Sequence, residues 1–457
     1  MMNLSVFGLG KLGLCSAACF ASRGHNVIGV DTDMEVVRRL RAGECPVDET
    51  GLEGLLESCG DNLHVTEDAA EAVSESDVIL IIVPTPSGAD GRFCNGYVES
   101  VLRTVGPLLA RKESFCVVDV VSTVMPGSCR GEFLPLLEGL SGGQCGRDFG
   151  LVYNPEFIAI GSVIRDFLNP DMVLIGASDE RSAGIVRGLY ESTCLSGPHI
   201  ACMSLVNAEI AKLSLNCYVT MKISFANELA SICERTAGAD IDVITGAIGR
   251  DSRVGLKYLK GGLGFGGPCF PRDNIAFQAF ALEAGVESRL SPRVVAVNGE
   301  VVKRVFGAIE ERTGGGGRVA VLGLSYKPGT HIVEESQSTV LAQRLAEAGY
   351  AVAVHDPKAI DAAREVLGEV VEYAEDAYSA AAGAEAVVLM TDWEEYRRLD
   401  WGRIERSMCG GGVVVDSWRA LRDVCFERAE YAAVGLGHLE ESCDKTEVRA
   451  AAGVREF

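Results

Sequence analysis

Asn3-Leu4-Ser5-Val6-Phe7-Gly8-Leu9-Gly10-Lys11-Leu12-Gly13 is a short apolar run that breaks into three glycines spaced GxGxxG. Residues 3–7 read as a buried strand, Lys11 to about Ser22 as a helix, and Asn26 to Val30 as a second strand ending in Asp31. That acid falls 18 residues past the last glycine. In this context each glycine has a purpose. Gly8 makes the turn, Gly10 lets a pyrophosphate approach the backbone, and Gly13 lets the helix pack on the strand. The helix start at Lys11 and Leu12 then offers unpaired amides to phosphate. Asp31 is suited to accept hydrogen bonds from adenosine ribose hydroxyls and to repel a 2′-phosphate, so the expected cofactor is NAD, not NADP. A tight turn without a ligand is the competing reading, and the strand–helix–strand–acid order disfavours it.

The alternation continues. Val78 to Val83 is expected as a strand ending in Pro84-Thr85-Pro86, and Cys116 to Val121 as one ending in Ser122-Thr123-Val124-Met125-Pro126-Gly127. Leu151 to Tyr153 leads into Asn154-Pro155-Glu156-Phe157. Ligands of an open parallel sheet sit beyond the carboxyl ends of its strands, where Thr85, Thr123 and Glu156 fall. Each hydroxyl has an ordinary cap or turn as its bland alternative, and Glu156 a solvated one.

Residues 204 to about 236 read as one long helix, with Ser204 as a possible N-cap and no Gly or Pro before Gly238. At about 1.5 Å per residue it is long enough to join two domains and carry a subunit contact. Lys212 and Asn216 share a face of it and need partners, unless Lys212 snorkels at a surface. Further helices are expected over about 274–284 and 292–312.

Between the long helix and these runs Gly261-Gly262-Leu263-Gly264-Phe265-Gly266-Gly267-Pro268-Cys269-Phe270-Pro271-Arg272-Asp273, with five glycines in its first seven residues. Packing is not expected to explain such a run; close approach of a ligand is. Two prolines bracket Cys269 as fixed turns. The thiol is either a nucleophile, needing a lowered pKa or a partner, or one of 16 cysteines filling a gap.

Thr313-Gly314-Gly315-Gly316-Gly317 reads as a linker, and strand–helix alternation then restarts. Strands are expected at 318–322, 351–354, 386–390 and 412–415, with a helix over 337–348; the tail from about Cys443 reads as frayed. The expected fold is α/β, two doubly wound Rossmann-like domains joined by a long central helix and a small helical domain. The expected boundaries are 1–203, 204–313 and 314–457.

Composition narrows the function. The formal charge of −22 argues against nucleic acid or an anionic membrane as partner. The longest apolar run, Val78 to Val83, is far below the ~20 residues that cross a bilayer. With no secretory signal, a cytoplasmic protein is expected. Scattered cysteines without a CxxC pair suggest mostly reduced thiols, and six dispersed His give no metal site.

Six pieces in order resemble the UDP-glucose/GDP-mannose dehydrogenase family. They are Gly8-x-Gly10-x-x-Gly13, Val83-Pro84-Thr85-Pro86, Ser122-Thr123-Val124-x-Pro126-Gly127, Asn154-Pro155-Glu156-Phe157, Asn207-Ala208-Glu209 with Lys212 and Asn216, and Gly264-Phe265-Gly266-Gly267-x-Cys269-Phe270-Pro271-x-Asp273. The resemblance covers almost the whole chain. It implies a four-electron oxidation of a nucleotide-sugar C6 alcohol to a carboxylate with two NAD+, through a thiohemiacetal and a thioester on Cys269. It gives Lys212 and Asn216 the oxyanion, Asp273 and Thr123 a water or proton, and Glu156 the general-base role. Gly8, Gly10, Lys11, Leu12, Gly13, Asp31, Thr85, Thr123 and Lys327 are implied for the cofactor. Phe157, Lys212, Asn216, Arg253, Lys257, Tyr258, Lys260, Gly264, Phe265, Gly266 and Arg419 are implied for the substrate. A homodimer or higher oligomer is implied too.

Departures fall on both sides of the cysteine, and the C-terminal half is altered. Ile160 stands where many relatives have Glu, Pro268 where Ser is usual, Glu334 where they have Arg, and Asp416-Ser417-Trp418 where they have Asp-Gly-Arg. UDP-glucose is the expected substrate, since Phe270 after the cysteine resembles that branch. GDP-mannose, a UDP-N-acetylhexosamine, and an inactive binding protein are the alternatives.

Overall fold

The structure is a computed structural model that describes residues 1–437; the frayed tail expected from Cys443 lies outside them. Compactness divides the chain into two units. One is Met1–Asn216 with Arg272–Ser288, the other Cys217–Pro271 with the chain from Arg289 onward. Two of the three cuts fall inside helices, Leu205–Cys233 and Phe270–Glu283, and the third falls between Phe270–Glu283 and Leu290–Thr313.

The first unit holds β1 (Asn3–Phe7), β2 (Asn26–Val30), β3 (Leu63–Thr66), β4 (Val78–Ile81), β5 (Cys116–Val120), β6 (Phe149–Tyr153), β7 (Met172–Ala177) and β8 (His199–Ser204). They form one sheet in the order β3-β2-β1-β4-β5-β6-β7-β8. Pairing is parallel through β6; β7 then runs antiparallel to β6. Phe7 lies level with Val30 on one side and Ile81 on the other, so β1, β2 and β4 end together around the glycine turn. β1, β4, β5 and β6 are buried on both faces, which is why they read as continuous apolar runs. The strands at 63–66, 172–177 and 199–204 go beyond the sequence expectation; β8 is an edge strand whose residues are half-buried or exposed.

The second unit repeats the arrangement with β9 (Arg318–Leu322), β10 (Ala351–His355), β11 (Glu372–Tyr373), β12 (Ala386–Leu389), β13 (Val413–Asp416) and β14 (Glu430–Ala433). The order β11-β10-β9-β12-β13-β14 is the doubly wound order, all parallel.

The long helix spans Leu205–Cys233, close to its expected limits. The helix after the cysteine differs more. It begins at Phe270, four residues earlier than expected, and takes in Pro271 and Asp273. Proline is tolerated in a first turn because its missing N–H has no intrahelical partner there, and an acid is favoured by the helix dipole. Cys269 therefore stands immediately before a helix, not between two fixed turns.

Candidate active site

The glycine turn has the geometry a dinucleotide needs. Gly8 sits at φ 98, and a Cβ on it would lie 2.3 Å from the Ile82 carbonyl oxygen. A Cβ on Gly13 would lie 1.9 Å from the Gly8 oxygen, so the helix can pack here only without a side chain. At Gly10 the Cβ direction is open, with nothing within 4 Å. Helix Lys11–Ser22 starts without a side-chain cap, leaving its first amides for an anion. Asp31 accepts from the Leu9 amide at 2.6 Å and the Asp33 amide at 2.8 Å, one per carboxylate oxygen, and keeps lone pairs for a ribose. These residues fit NAD.

The ends of β4 and β5 are stapled together. Thr85 Oγ1 donates to the Thr123 carbonyl at 2.7 Å, and Ser122 Oγ accepts from the Val83 amide while donating to its carbonyl. Glu209, a motif residue with no expected role, is fully buried and accepts from the Gly127 and Cys129 amides at 2.6 and 2.8 Å. It fixes the turn that follows Thr123. Its position three residues before Lys212 on an apolar helix was the available signal.

Lys212 does not snorkel. It is 7% exposed, and its Nζ donates to the Glu156 carbonyl at 2.6 Å and lies 4.5 Å above the Phe157 ring. One turn on, Asn216 Nδ2 donates to Asp273 Oδ2. Both residues are buried, and burial raises the Asp273 carboxyl, opposed by Lys212 and by the Asn216 bond. The Glu156 carboxylate accepts from Tyr190 OH at 2.8 Å. Burial pushes Glu156 up to about 7, with the Tyr190 bond and Lys212 pulling the other way. Tyr190, in helix Glu180–Thr193, carried no motif signal. Asp119, inside β5 with no partner for either oxygen, is also held well above the carboxylate range by burial.

The first unit thus brings together Thr85 with Thr123, Lys212 with Glu156 and Phe157, and Asn216 with Asp273. Cys269 belongs to the second unit, at an exposed position.

Within that unit the glycine run is a packing seam, contrary to the expectation that only a ligand explains it. A Cβ on Gly262 would lie 2.7 Å from the Trp418 ring, and on Gly264 2.1 Å from Asn298 Oδ1. On Gly266 it would lie 2.3 Å from the Glu335 carbonyl oxygen, and on Gly267, at φ 80, 2.6 Å from the Tyr326 ring. The chain's own side chains and backbone fill the space that the missing Cβ atoms leave. Phe265 is buried, edge-on to Phe270 at 6.3 Å.

The expected cations are unequal. Arg253 pairs with Asp251 at 2.7 Å on the surface. Lys260 lies 3.9 Å from Asp392 and 5.4 Å above the Trp418 ring, and Lys327 lies 5.8 Å above the Tyr326 ring. Tyr258 is half-exposed at φ 63. Arg419 is 3% exposed and donates to both Asp242 oxygens and to the carbonyls of Gly261 and Val434. It braces the glycine run with four of its five N–H donors, and its side chain is wholly enclosed.

A doubly wound sheet with an open glycine turn and an acid at the end of its second strand defines a dinucleotide-binding domain. The chain matches the NAD binding domain of the UDP-glucose/GDP-mannose dehydrogenase family over residues 2–194, its central domain over 206–300 and its UDP binding domain over 320–423. It belongs to that family and is an NAD-dependent oxidoreductase. It is 38% identical over 405 residues to the UDP-glucose 6-dehydrogenase AglM of Haloferax volcanii, covering 87% of this chain and 93% of the relative. Against the GDP-mannose 6-dehydrogenase of Pseudomonas putida it is 36% identical, covering 78% and 81%. The structure of a UDP-glucose dehydrogenase from Pyrobaculum islandicum is similar at TM-score 0.85 and 37% identity, covering 95% of this chain and 98% of that one. Among the described residues no helix is long and apolar enough to cross a membrane.

Proposed function

We propose that the protein oxidises the C6 alcohol of UDP-glucose to the carboxylate of UDP-glucuronate in two oxidations at one site. When bound, NAD supplies the hydride acceptor for each. Cys269 adds to the C6 aldehyde as a thiohemiacetal, which keeps the aldehyde from escaping. The second oxidation leaves a thioester, and water hydrolyses it to free the carboxylate and the thiol. Lys212 and Asn216 stabilise oxyanion character at C6. Asp273 and Thr123 position a water or move its proton, and Glu156 is the general base of the thioester steps. Gly8, Gly10, Lys11, Leu12, Gly13, Asp31, Thr85 and Lys327 serve the cofactor. Phe157, Arg253, Lys257, Tyr258, Lys260 and residues 264–266 serve the nucleotide sugar.

The observation that carries this reading is buried Lys212, Asn216 and Asp273 with half-buried Glu156, two cationic or amide donors beside two carboxyl groups whose pKa values desolvation raises. The names of the similar UDP-glucose enzymes support the substrate. The similar GDP-mannose 6-dehydrogenase supports GDP-mannose as the second reading. NADH released per sugar decides between them. Two equivalents with UDP-glucose alone are expected, together with a covalent sugar adduct on Cys269. Full turnover in Cys269→Ser would overturn the nucleophile.

We further propose a cytoplasmic homodimer, organised as three domains at 1–203, 204–313 and 314–457. Tyr218, Phe225 and Ile232 are seven residues apart on the long helix and 52%, 49% and 57% exposed, a stripe suited to a second copy.

A further inference from the structure

The glycine run is gripped by two side-chain amides to which the family resemblance gives no role. Asn298, on helix Leu290–Thr313, accepts from the Phe265 amide through Oδ1 at 2.7 Å and donates to the Phe265 carbonyl through Nδ2 at 2.8 Å. One side chain thus meets both polar groups of one residue, as a neighbouring strand would. Gln337, the first residue of helix Gln337–Glu347, accepts from the Gly264 amide at 2.9 Å and donates to the Asn298 carbonyl at 3.0 Å. Each amide is used at both ends, so neither can flip without setting donor against donor. Gly264 is where the two side chains meet. Its Cβ would lie 2.1 Å from Asn298 Oδ1 and 2.3 Å from Gln337 Nε2. Farther along, the Gly267 amide donates to the Glu334 carbonyl at 3.0 Å.

We infer that Asn298 and Gln337 are positioning residues for the nucleophile, holding residues 264 and 265 so that Cys269, four positions on, is presented in one place. The inference rests on the reading of Cys269 as nucleophile. Packing alone could be met by any small side chain. The two-ended bonding requires a donor and an acceptor side by side, which an amide carries and an ionised carboxylate does not.

The test is isosteric. Asn298→Asp keeps shape and the acceptor but sets a carboxylate oxygen against the Phe265 carbonyl. Gln337→Glu does the same to the Asn298 carbonyl. In the full chain, the hydrogen exchange rates of the Gly264 and Phe265 amides, the iodoacetamide rate at Cys269, kcat, KM for NAD and Tm are measured for both. The expected result for Asn298→Asp is faster exchange at Phe265 and an altered alkylation rate. With these, kcat should be lower by roughly tenfold to a hundredfold, the scale of a small misplacement, and KM for NAD should change by less than about twofold. Gln337→Glu should show the same pattern at smaller size and stands in if the first variant fails to fold. Unchanged Phe265 exchange and alkylation would overturn the inference, as would a kcat loss that follows only the fraction unfolded. An active Cys269→Ser would overturn the nucleophile reading instead, while Phe265 exchange still tells whether the clamp holds the backbone.

Discussion

The two sheets share a topology and differ in what fills the crevice at their centre. Gly8 and Gly323 sit at φ 98 and 96, and their amides donate at 2.8 Å to Val30 and His355, the last residues of β2 and β10. An acid follows each of these strands. Asp31 accepts from Leu9 and Asp33, and Asp356 accepts in the same way from Leu324 and Lys358. There the likeness ends. Asp356 is 2% exposed and also accepts from Ser325 N and Oγ, Ala359 N and the Trp393 indole. Its lone pairs are taken, and the loop after β12 has folded a tryptophan onto it. The first helix follows β1 after three residues, whereas Gln337–Glu347 follows β9 after fourteen. A doubly wound sheet leaves a crevice at its switch point, but the loops after strands one, two and four decide whether it stays open.

The contrast can be broken most severely at Gly13. Gly13→Val drives a side chain into the Gly8 carbonyl and should destabilise by on the order of 4 kcal/mol, seen as a lower Tm with no NAD binding. A Tm near that of the parent would show that the turn relaxes.

Asp31 and Asp356 should separate cleanly. Asp356→Asn sets a donor among buried donors and should cost on the order of 3 kcal/mol in denaturant unfolding, with NAD affinity in the folded fraction unchanged. Asp31→Asn should weaken NAD by roughly tenfold or more in titration calorimetry, at little cost to Tm. Equal effects on both measurements would erase the contrast.

A group that titrates near neutrality sharpens the difference. Ionised Glu156 is the proposed base, so the hydrolytic rate should rise with pH through about 7. Tyr190→Phe removes the bond that favours the ionised form and should move that limb up by roughly one pH unit. Stability has the opposite sense. A carboxyl whose folded pKa lies above its unfolded one binds more protons folded, so stability is lost as pH rises from the ordinary glutamate range to about 7.

The smallest effect lies at Glu335, held at φ 51 against Gly266. Glu335→Gly should raise stability by about 1 kcal/mol, read as a small rise in Tm. A fall would mean that the side chain contributes more than its backbone strain takes away.

Much of the first sheet was legible, because buried parallel strands are apolar runs and the glycine turn has one physical use. The strands 3–7, 26–30 and 318–322 fall where the pattern puts them. Glu156 and Lys212 were legible as candidates but not as neighbours, since 56 residues separate them. Tyr190 was invisible, because a tyrosine on an amphipathic helix becomes a donor to Glu156 only once β6 and that helix are packed. The glycine run was legible as special and misread in cause. Sequence shows the missing side chains but not Trp418, Asn298 and Tyr326, which stand in their place.

The sequence alone determined the periodicities, the turn that admits a dinucleotide and the inventory of thiol, amide, ammonium and carboxyl groups, because these depend on local geometry and residue chemistry. Only the tertiary structure decided which carboxyl is pushed toward neutrality, which arginine is enclosed and which crevice is filled. Those outcomes depend on burial and on partners brought from distant parts of the chain, and desolvation has no counterpart in a linear string.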